Sequence, residues 1–371
     1  VYFLLLEDNH EGCNDPADND SDRLLNCVET NTGVFVNEDD TGTDPNNPDT
    51  DGDAIWDGDE VLGTLAGLDL PALGTSPVRK NILLEYDWFD DNLDSGTCSA
   101  HSHRPTPAAT ALVASAFSAS PVSNPDGTTG ITLIQDYGQG GVFTGGNLIA
   151  DPNGVLGGGF DAEFYGHKSA NFASNRDGYF HYVVNPHRYN TSSGSSGLAE
   201  LPGDDMIVSL YCFGGDGNVA NTIMHELGHN ILLRHGGFEN TNWKPNYNSV
   251  MNYKYQFPGT DSCADADPVG DGILDYSVGD RVVLNENNLN ENLGTCGTLA
   301  WDWNENAVIE TGVVEDINCD SDSICDGALT TLQDSNDWAN FIFTGLSDAN
   351  GATLSRIPQE IVECNNPVSH R

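Results

Sequence analysis

The residues whose types and spacing could do chemistry lie close together, between His225 and His235. His225 and His229 are four residues apart, so on a helix both imidazoles project from one face and can bind one Zn²⁺. Glu226, next to the first of them, can act as a general base towards water that such a zinc activates. This spacing predicts metal-assisted hydrolysis.

His235 would complete the ligand set, but it cannot lie on the same face of a straight helix. It follows His229 by six residues, which at about 100° per residue is well over half a turn of rotation. The helix must therefore end after His229, and the chain must reverse to bring in the third imidazole. Three protein nitrogens with water make a catalytic zinc site, whereas a structural site is closed by four protein ligands and needs no base.

This stretch resembles HExxHxxGxxH, the zinc signature of the metzincin metalloendopeptidases, with the three histidines as ligands and the glutamate as base. One position departs from the family pattern, because Leu232 stands where metzincins have the glycine of the turn. A leucine in a left-handed conformation is costly, so we expect the turn to be built differently. Asn230, Gly236 or Gly237 would then take the unusual dihedral angles.

A second segment strengthens the resemblance. Ser249 to Tyr253 reads SVMNY, with Met251 sixteen residues after His235, and it is similar to the Met-turn beneath the metzincin zinc site. Tyr253 stands where the astacin and serralysin branches have a tyrosine, and pappalysins share the zinc signature. The resemblance implies that Tyr253 binds zinc at rest or stabilises the oxyanion, and the alternative is a tyrosine that only packs beneath the site.

The composition excludes some classes of function. The chain has 371 residues with 57 acidic and 13 basic side chains, a formal net charge of −44. Nucleic acids and anionic membranes need a positive surface, so neither is an expected partner. The acidity indicates dense Ca²⁺ sites, a high-salt habitat or both. No apolar run reaches membrane-spanning length, and we expect no membrane insertion.

Nine cysteines, without the paired CxxC spacing of zinc ribbons, predict disulfides in an oxidising compartment, with one thiol left over. We therefore expect an extracellular, secreted protein, which could be associated with the cell surface. Three local pairs are plausible, although a sequence cannot fix their connectivity: Cys13 with Cys27, Cys263 with Cys296, and Cys319 with Cys325.

Two stretches before residue 78 match the ligand spacing of EF-hand calcium loops at positions 1, 3, 5, 7, 9 and 12. The first comprises Asp18, Asp20, Asp22, the Leu24 carbonyl, Asn26 and Glu29, and the second Asp49, Asp51, Asp53, the Ile55 carbonyl, Asp57 and Glu60. Position 6, usually glycine, is Arg23 in one and Ala54 in the other. The segment resembles thrombospondin type 3 repeats, and a disordered acidic linker is the alternative.

A third stretch matches the calcium spacing less completely. Its oxygen ligands are Asp302, Asn304, Asn306 and Glu310, the last at position 9. Position 12 has no glutamate here, so calcium binding and a simple acidic loop are equally open for this stretch.

The chain divides into a calcium-binding module over residues 1–78 and a catalytic domain over 79–371. Apolar density predicts strands at 81–88, 178–184 and 205–210 and one that starts at 131, with an alanine-rich helix at 105–119. This order resembles the metzincin fold, which implies an α+β domain with a twisted mixed sheet and the active-site helix. The upper subdomain would cover about 79–235 and the irregular lower one about 236–371, where a helix begins between 334 and 343.

The other histidines have less specific surroundings. His101 and His103 lie in a polar loop, where solvation or a role at the substrate rim is favoured over metal binding. His181 and His187 are expected to be hydrogen-bonded structural residues. The glycine- and serine-rich run at 191–197 is predicted to be a flexible loop.

The sequence as a whole predicts a secreted, calcium-stabilised zinc endopeptidase that acts on proteins or peptides. In this hypothesis Zn²⁺ polarises the scissile carbonyl, and Glu226 takes a proton from water and gives it to the leaving amine. The alternative is a calcium-dependent surface or adhesion protein on a decayed protease scaffold, which leaves the intact Glu226 unexplained.

Overall fold

The computed structural model describes residues 13, 16–90, 101–151, 153–192, 194–212, 214–343 and 360–364. The helices are α1 (Asp57–Leu62), α2 (Leu70–Leu73), α3 (Pro107–Ser118), α4 (Ala162–Asn171), α5 (Asp216–Asn230), α6 (Tyr253–Gln256) and α7 (Asp337–Asn340). The strands are β1 (Asn81–Phe89), β2 (Thr132–Asp136), β3 (Leu148–Ile149), β4 (Phe180–Asn185), β5 (Gly197–Leu201), β6 (Asp205–Val208), β7 (Leu284–Asn285), β8 (Leu289–Asn290), β9 (Thr311–Val313), β10 (Thr331–Leu332) and β11 (Glu360–Cys364).

A seven-stranded mixed sheet organises the molecule. Its order is β11-β5-β6-β4-β1-β2, and β3 pairs with the end of β1. The strands β2, β1, β4 and β6 run parallel, whereas β5 is antiparallel to β6, and β11 is antiparallel to β5. A mixed sheet with few helices agrees with the predicted α+β class at that coarse level.

Strand β1, which pairs with β2, β3 and β4, is covered by apolar side chains on both of its faces. Ile82, Leu84 and Tyr86 point into the main core, where the helices α3 and α5 pack. Leu83, on the opposite face, packs in a second cluster with apolar residues from the first 78 residues, including Ile55 and α2. Alternate residues of a strand face opposite sides, so β1 joins the acidic N-terminal segment to the layer that carries α5.

The predicted strands at 81–88, 131, 178–184 and 205–210 and the helix at 105–119 are confirmed as β1, β2, β4, β6 and α3, with small shifts of their ends. A helix begins between 334 and 343 as expected, and it is the four-residue α7. One prediction is corrected. The run at 191–197 is not a loop throughout, because Ser195 and Ser196 are buried and Gly197 begins β5, where it pairs with Val208.

Cysteine pairing follows the sequence prediction. The three expected disulfides are present: Cys13–Cys27, Cys263–Cys296 and Cys319–Cys325. Such bonds persist in oxidising compartments, so they are consistent with an extracellular protein. Within the described ranges, none of the helices is long and apolar enough to cross a membrane.

Candidate metal and catalytic site

The chain reversal after α5 is what brings the third histidine to the site. Leu233 N–H donates to Gly228 O at 2.8 Å and Leu232 N–H donates to His229 O at 2.9 Å. These are the two hydrogen bonds of a Schellman motif, in which the residue just beyond the helix adopts a left-handed conformation. That residue is Leu232, with φ of 85°.

The expectation that Leu232 would avoid the left-handed region is therefore wrong. A left-handed conformation costs about 1–2 kcal/mol for a residue with a Cβ. The two hydrogen bonds of the motif and the complete burial of Ile231 and near-complete burial of Leu233 offset this cost. Of the residues expected to absorb the strain, Gly237 has a positive φ, 82°, in the next turn, where it exchanges hydrogen bonds with Arg234.

The three histidines present their Nε2 atoms to one point. His229 Nε2 lies 3.2 Å from His225 Nε2 and 3.2 Å from His235 Nε2. Two nitrogens that bind one tetrahedral ion at about 2.0–2.1 Å are about 3.3 Å apart. The observed separations therefore fit a single bound ion of the zinc type.

Hydrogen bonds on the far side of the rings fix which nitrogen faces the ion. His225 Nδ1 lies 2.7 Å from Val250 O and His229 Nδ1 lies 2.8 Å from Leu233 O. A carbonyl accepts only, so in His225 and His229 Nδ1 carries the proton and Nε2 carries a lone pair, the arrangement typical of metal ligands. Burial lowers the pKa of His225 to about 4 and, with the neighbouring imidazoles, holds the pKa values of His229 and His235 well below normal.

Glu226 follows His225 in α5 and is fully buried, and its carboxylate lies against strand β5. A Cβ at Gly197, the first residue of that strand, would lie 2.1 Å from Glu226 Oε1. Only a residue without a side chain leaves room for the carboxylate at this place. The sequence alone does not reveal this contact, because the run at 191–197 predicts a loop.

Tyr253 and Met251 lie on the other side of the ligands. The Tyr253 ring centroid is 4.3 Å from that of His235 and 5.9 Å from that of His225, and the side chain is 8% exposed. Met251 is fully buried beneath α5. The segment that resembles a Met-turn therefore forms one wall of the site, with Tyr253 in contact with a ligand ring.

The two N-terminal acidic loops share one backbone turn. Backbone N–H groups at positions 4 and 6 of each loop donate to the first carboxylate, Asp18 or Asp49, and the N–H at position 7 donates to the carboxylate at position 5. Arg23 and Ala54, at position 6, have φ of 88° and 72°. Both therefore take the left-handed conformation for which EF-hand loops use glycine.

This turn brings several buried carboxylates close together, and a bound cation would offset their mutual repulsion. Burial, together with neighbouring carboxylates, raises the pKa of Glu29 to about 8 and that of Asp51 to about 9, and it also raises the pKa of Glu60. Within the described part of the chain, both Asp20 oxygens and one oxygen each of Glu29, Asp51 and Glu60 are buried without a hydrogen-bond partner. Hard oxygen donors in this state fit Ca²⁺.

The other carboxylates of these loops behave in the same way. Burial raises the pKa of Asp22 to about 6, that of Asp53 to about 7 and that of Asp57 to about 8. Asn26, in contrast, is half-buried, and its side-chain oxygen accepts a hydrogen bond from Asn19 N–H.

The third acidic stretch has the same turn but a different environment. Ala307, at position 6, has φ of 63°, and its N–H donates to Asp302. Asn304 and Asn306 donate their side-chain amides to Glu310. Most of this loop is exposed, so the structure gives it no buried, repelling carboxylates comparable to those of the first two loops.

The remaining histidines are placed partly as expected. His181 is buried, and its Nδ1 lies 3.1 Å from Asn230 Oδ1, as expected for a structural residue. His187, however, lies with His101 and His103 in a group whose ligand nitrogens are all within 4.8 Å of one another. The HxH spacing was the only sequence signal for this group, and His187 is too distant in the chain to have been linked with it.

The outer edge of β5 is the sheet edge nearest to the site, and a segment of the same chain covers it. β11 pairs antiparallel with β5, in a register that places Cys364 opposite Gly197 and Val362 opposite Ala199.

Comparisons of the chain with protein-family models, curated proteins and solved structures give no match. The geometry of the site therefore carries the functional conclusion.

Proposed function

We propose that this protein is a secreted zinc endopeptidase of the metzincin type, stabilised by calcium. The observation that carries the proposal is the convergence of three Nε2 atoms, those of His225, His229 and His235, on a helix and turn that also carry the buried Glu226. A closed structural zinc site would have a fourth protein ligand and no use for the carboxylate. The Schellman reversal at Leu232 and the segment at Met251 support the family resemblance.

The residues of the chain have separate tasks in peptide hydrolysis. A bound zinc ion supplies Lewis acidity, which polarises the scissile carbonyl and lowers the pKa of water. Glu226 accepts a proton from the attacking water on its carboxylate and passes it to the nitrogen of the leaving amine. His225 and His229 keep their lone pairs towards the ion because Val250 O and Leu233 O hold the Nδ1 protons.

Peptide substrates would bind along β5. An extended peptide can add to an exposed sheet edge through main-chain hydrogen bonds. Gly197, in β5, touches the Glu226 carboxylate, so a peptide on that edge would pass the base. β11 occupies this edge in the structure, and a substrate that binds there must replace it.

The test distinguishes the role of the general base from that of the metal ligands. Glu226→Gln should keep one zinc at the three histidines but lower the rate of peptide cleavage by about 10²–10⁴-fold, the usual contribution of a general base. His229→Ala should lose both the zinc and the activity. Glu38→Gln, at an exposed position, is the matched control and should keep the parental rate.

The readouts are zinc per chain, by mass spectrometry, and hydrolysis of casein and of a fluorogenic peptide. Parental cleavage by Glu226→Gln would overturn the mechanism. Intact zinc binding without any peptide cleavage by the parent would instead favour the adhesion-protein alternative.

A further inference from the structure

A second group of imidazoles lies apart from the candidate active site, on residues that the proposed mechanism does not use. His103 Nε2 lies 3.1 Å from His187 Nδ1, and the ring centroid of His101 is 4.5 Å from that of His103. One ligand nitrogen from each of the three lies within 4.8 Å of the other two. The His103–His187 separation is close to that of two nitrogens around one tetrahedral ion, about 3.3 Å, and the third nitrogen lies within reach of the same ion.

The sheet places these residues together. β1 and β4 are parallel neighbours, with Trp88 opposite Asn185, so their carboxyl ends meet at the same edge. Asn185, the last residue of β4, donates its side-chain amide to His103 O at 3.1 Å. Ser102 forms an antiparallel bridge with Asp90, just after β1. The backbone that carries His103 is thus tied to the ends of both strands.

His187 is fixed just as firmly. Its N–H donates to Gly154 O at 3.0 Å, its carbonyl accepts from Tyr211 N–H at 3.1 Å, and the Tyr211 ring packs against the imidazole at 4.7 Å. His187 is buried, and His101 is the most exposed of the three. Contacts with the surrounding backbone therefore hold the inner side of the group in place.

The electrostatics favour neutral imidazoles. Burial, followed by the neighbouring imidazoles, lowers the pKa of His103 to about 3. Two cationic side chains adjoin the group in sequence. Arg104 donates to the carbonyls of Tyr137 and Gly138 and stacks on Trp88, and Arg188 donates to Thr191 O and lies over the Tyr211 ring. A hydrogen bond between two histidines would account for the His103–His187 contact, but not for a third imidazole beside it.

We propose that His101, His103 and His187 bind a second transition-metal ion of the Zn²⁺ class, in a site separate from the one at His225, His229 and His235. The ligand atoms of the group are all imidazole nitrogens, which suit Zn²⁺, Cu²⁺ or Ni²⁺ and not the oxygen-seeking Ca²⁺ or Mg²⁺.

The experiment counts zinc in the full chain, in excess calcium, at buffered free zinc concentrations. The parent should bind two zinc ions, His103→Asn and His229→Ala one each, and the double variant none. Ser102→Ala, which alters the same loop without removing an imidazole, is the matched control and should bind two. Because the readout is metal per chain, its outcome does not depend on protease activity.

Substitution of His187 could disturb folding, since that residue is buried, so a surface variant keeps the proposal testable. His101→Asn removes one ligand and should raise the dissociation constant of the second zinc by at least about tenfold. Loss of a residue that only hydrogen-bonds to a ligand already lowers metal affinity by about 10–100-fold. Circular dichroism verifies that each variant is folded. Equal zinc binding by the parent, His101→Asn and His103→Asn at every concentration would overturn the proposal.

Discussion

Met251 lies directly beneath Gly228: a Cβ at this glycine would be 2.2 Å from Met251 Sδ and 3.1 Å from Tyr276 Oη. Glycine inside a helix costs about 0.5–1 kcal/mol relative to alanine. At position 228 the absence of a side chain allows Met251 to approach the backbone of α5 between His225 and His229, the two ligands on this helix. The contact links the wall of the site to the helix that holds it.

Gly228→Ala should therefore destabilise the fold and weaken metal binding. The added methyl group must displace Met251 or α5, and overpacking of this kind typically costs about 1–3 kcal/mol. The free energy of unfolding, measured in denaturant at fixed free zinc, should fall by that amount. The zinc dissociation constant should rise, because the imidazoles no longer converge.

Gly217→Ala is the matched control for this substitution. It lies in the same helix, and no atom lies within 4 Å of the added Cβ. Relief of the glycine cost should leave it equal to the parent or more stable by up to about 1 kcal/mol. If both alanine variants had the same stability and zinc affinity, the packing of Met251 on Gly228 would have no role in the site.

The sequence predicted the parts of the site that depend on local periodicity. The two histidines of α5 and Glu226 follow from helical spacing, and the acidic loops follow from alternate oxygen donors. At Leu232 the sequence indicated a chain reversal but not its conformation, because a left-handed leucine is unfavourable in isolation. Tertiary burial of its neighbours overrides that local preference.

The parts that the sequence did not predict depend on contacts between distant segments. Gly197 and Gly228 matter because the Glu226 carboxylate and Met251 Sδ approach them closely. The sequence does not show which atoms lie next to a glycine. The group of His101, His103 and His187 forms only when β1 and β4 pair. β11 is likewise defined by its partner β5, since its five residues carry no distinctive local signal.

The hydroxyl of Tyr253 should tune the reaction without being required for metal binding. Its ring lies 4.3 Å from that of His235, so the phenol is close to the place where negative charge develops during hydrolysis. Tyr253→Phe keeps the ring and removes only the oxygen, so zinc content should stay at the parental value. We expect kcat to fall by about 10–10³-fold, on the scale of a single oxyanion donor. A parental kcat/KM in the phenylalanine variant would make Tyr253 a packing residue.

Calcium should reverse the effect of an asparagine substitution at Asp51. Burial and the neighbouring Asp53 and Asp49 raise the pKa of Asp51, so its carboxylate is unfavourable in the folded state without a cation. Asp51→Asn should therefore be at least as stable as the parent in calcium-free solution. With calcium present it should be the less stable protein, because the parent gains about 2.7 kcal/mol at a hundredfold excess over Kd.

Thermal unfolding at one free zinc concentration, with and without calcium, checks this crossover. Asp302→Asn is the control, because it makes the same change of aspartate to asparagine at position 1 of the third loop, most of which is exposed. It should keep most of the calcium-dependent rise in Tm. The same Tm for the parent with and without calcium would contradict the assignment of both N-terminal loops.

β11 should compete with substrates for the outer edge of β5. Ile361 and Val362 pair with Glu200 and Ala199, and successive N–H groups of an antiparallel strand alternate between its two sides. Proline at both positions therefore removes at least one N–H from the ladder, whereas alanine at both keeps every N–H and serves as the control. If β11 is paired about nine-tenths of the time, its release should lower the KM for protein substrates about tenfold, with kcat unchanged.

A peptide too short to extend along β5 should show no change in either variant. Identical KM values for a protein substrate in the parent, the double alanine variant and the double proline variant, at equal zinc content, would mean that substrates do not use this edge.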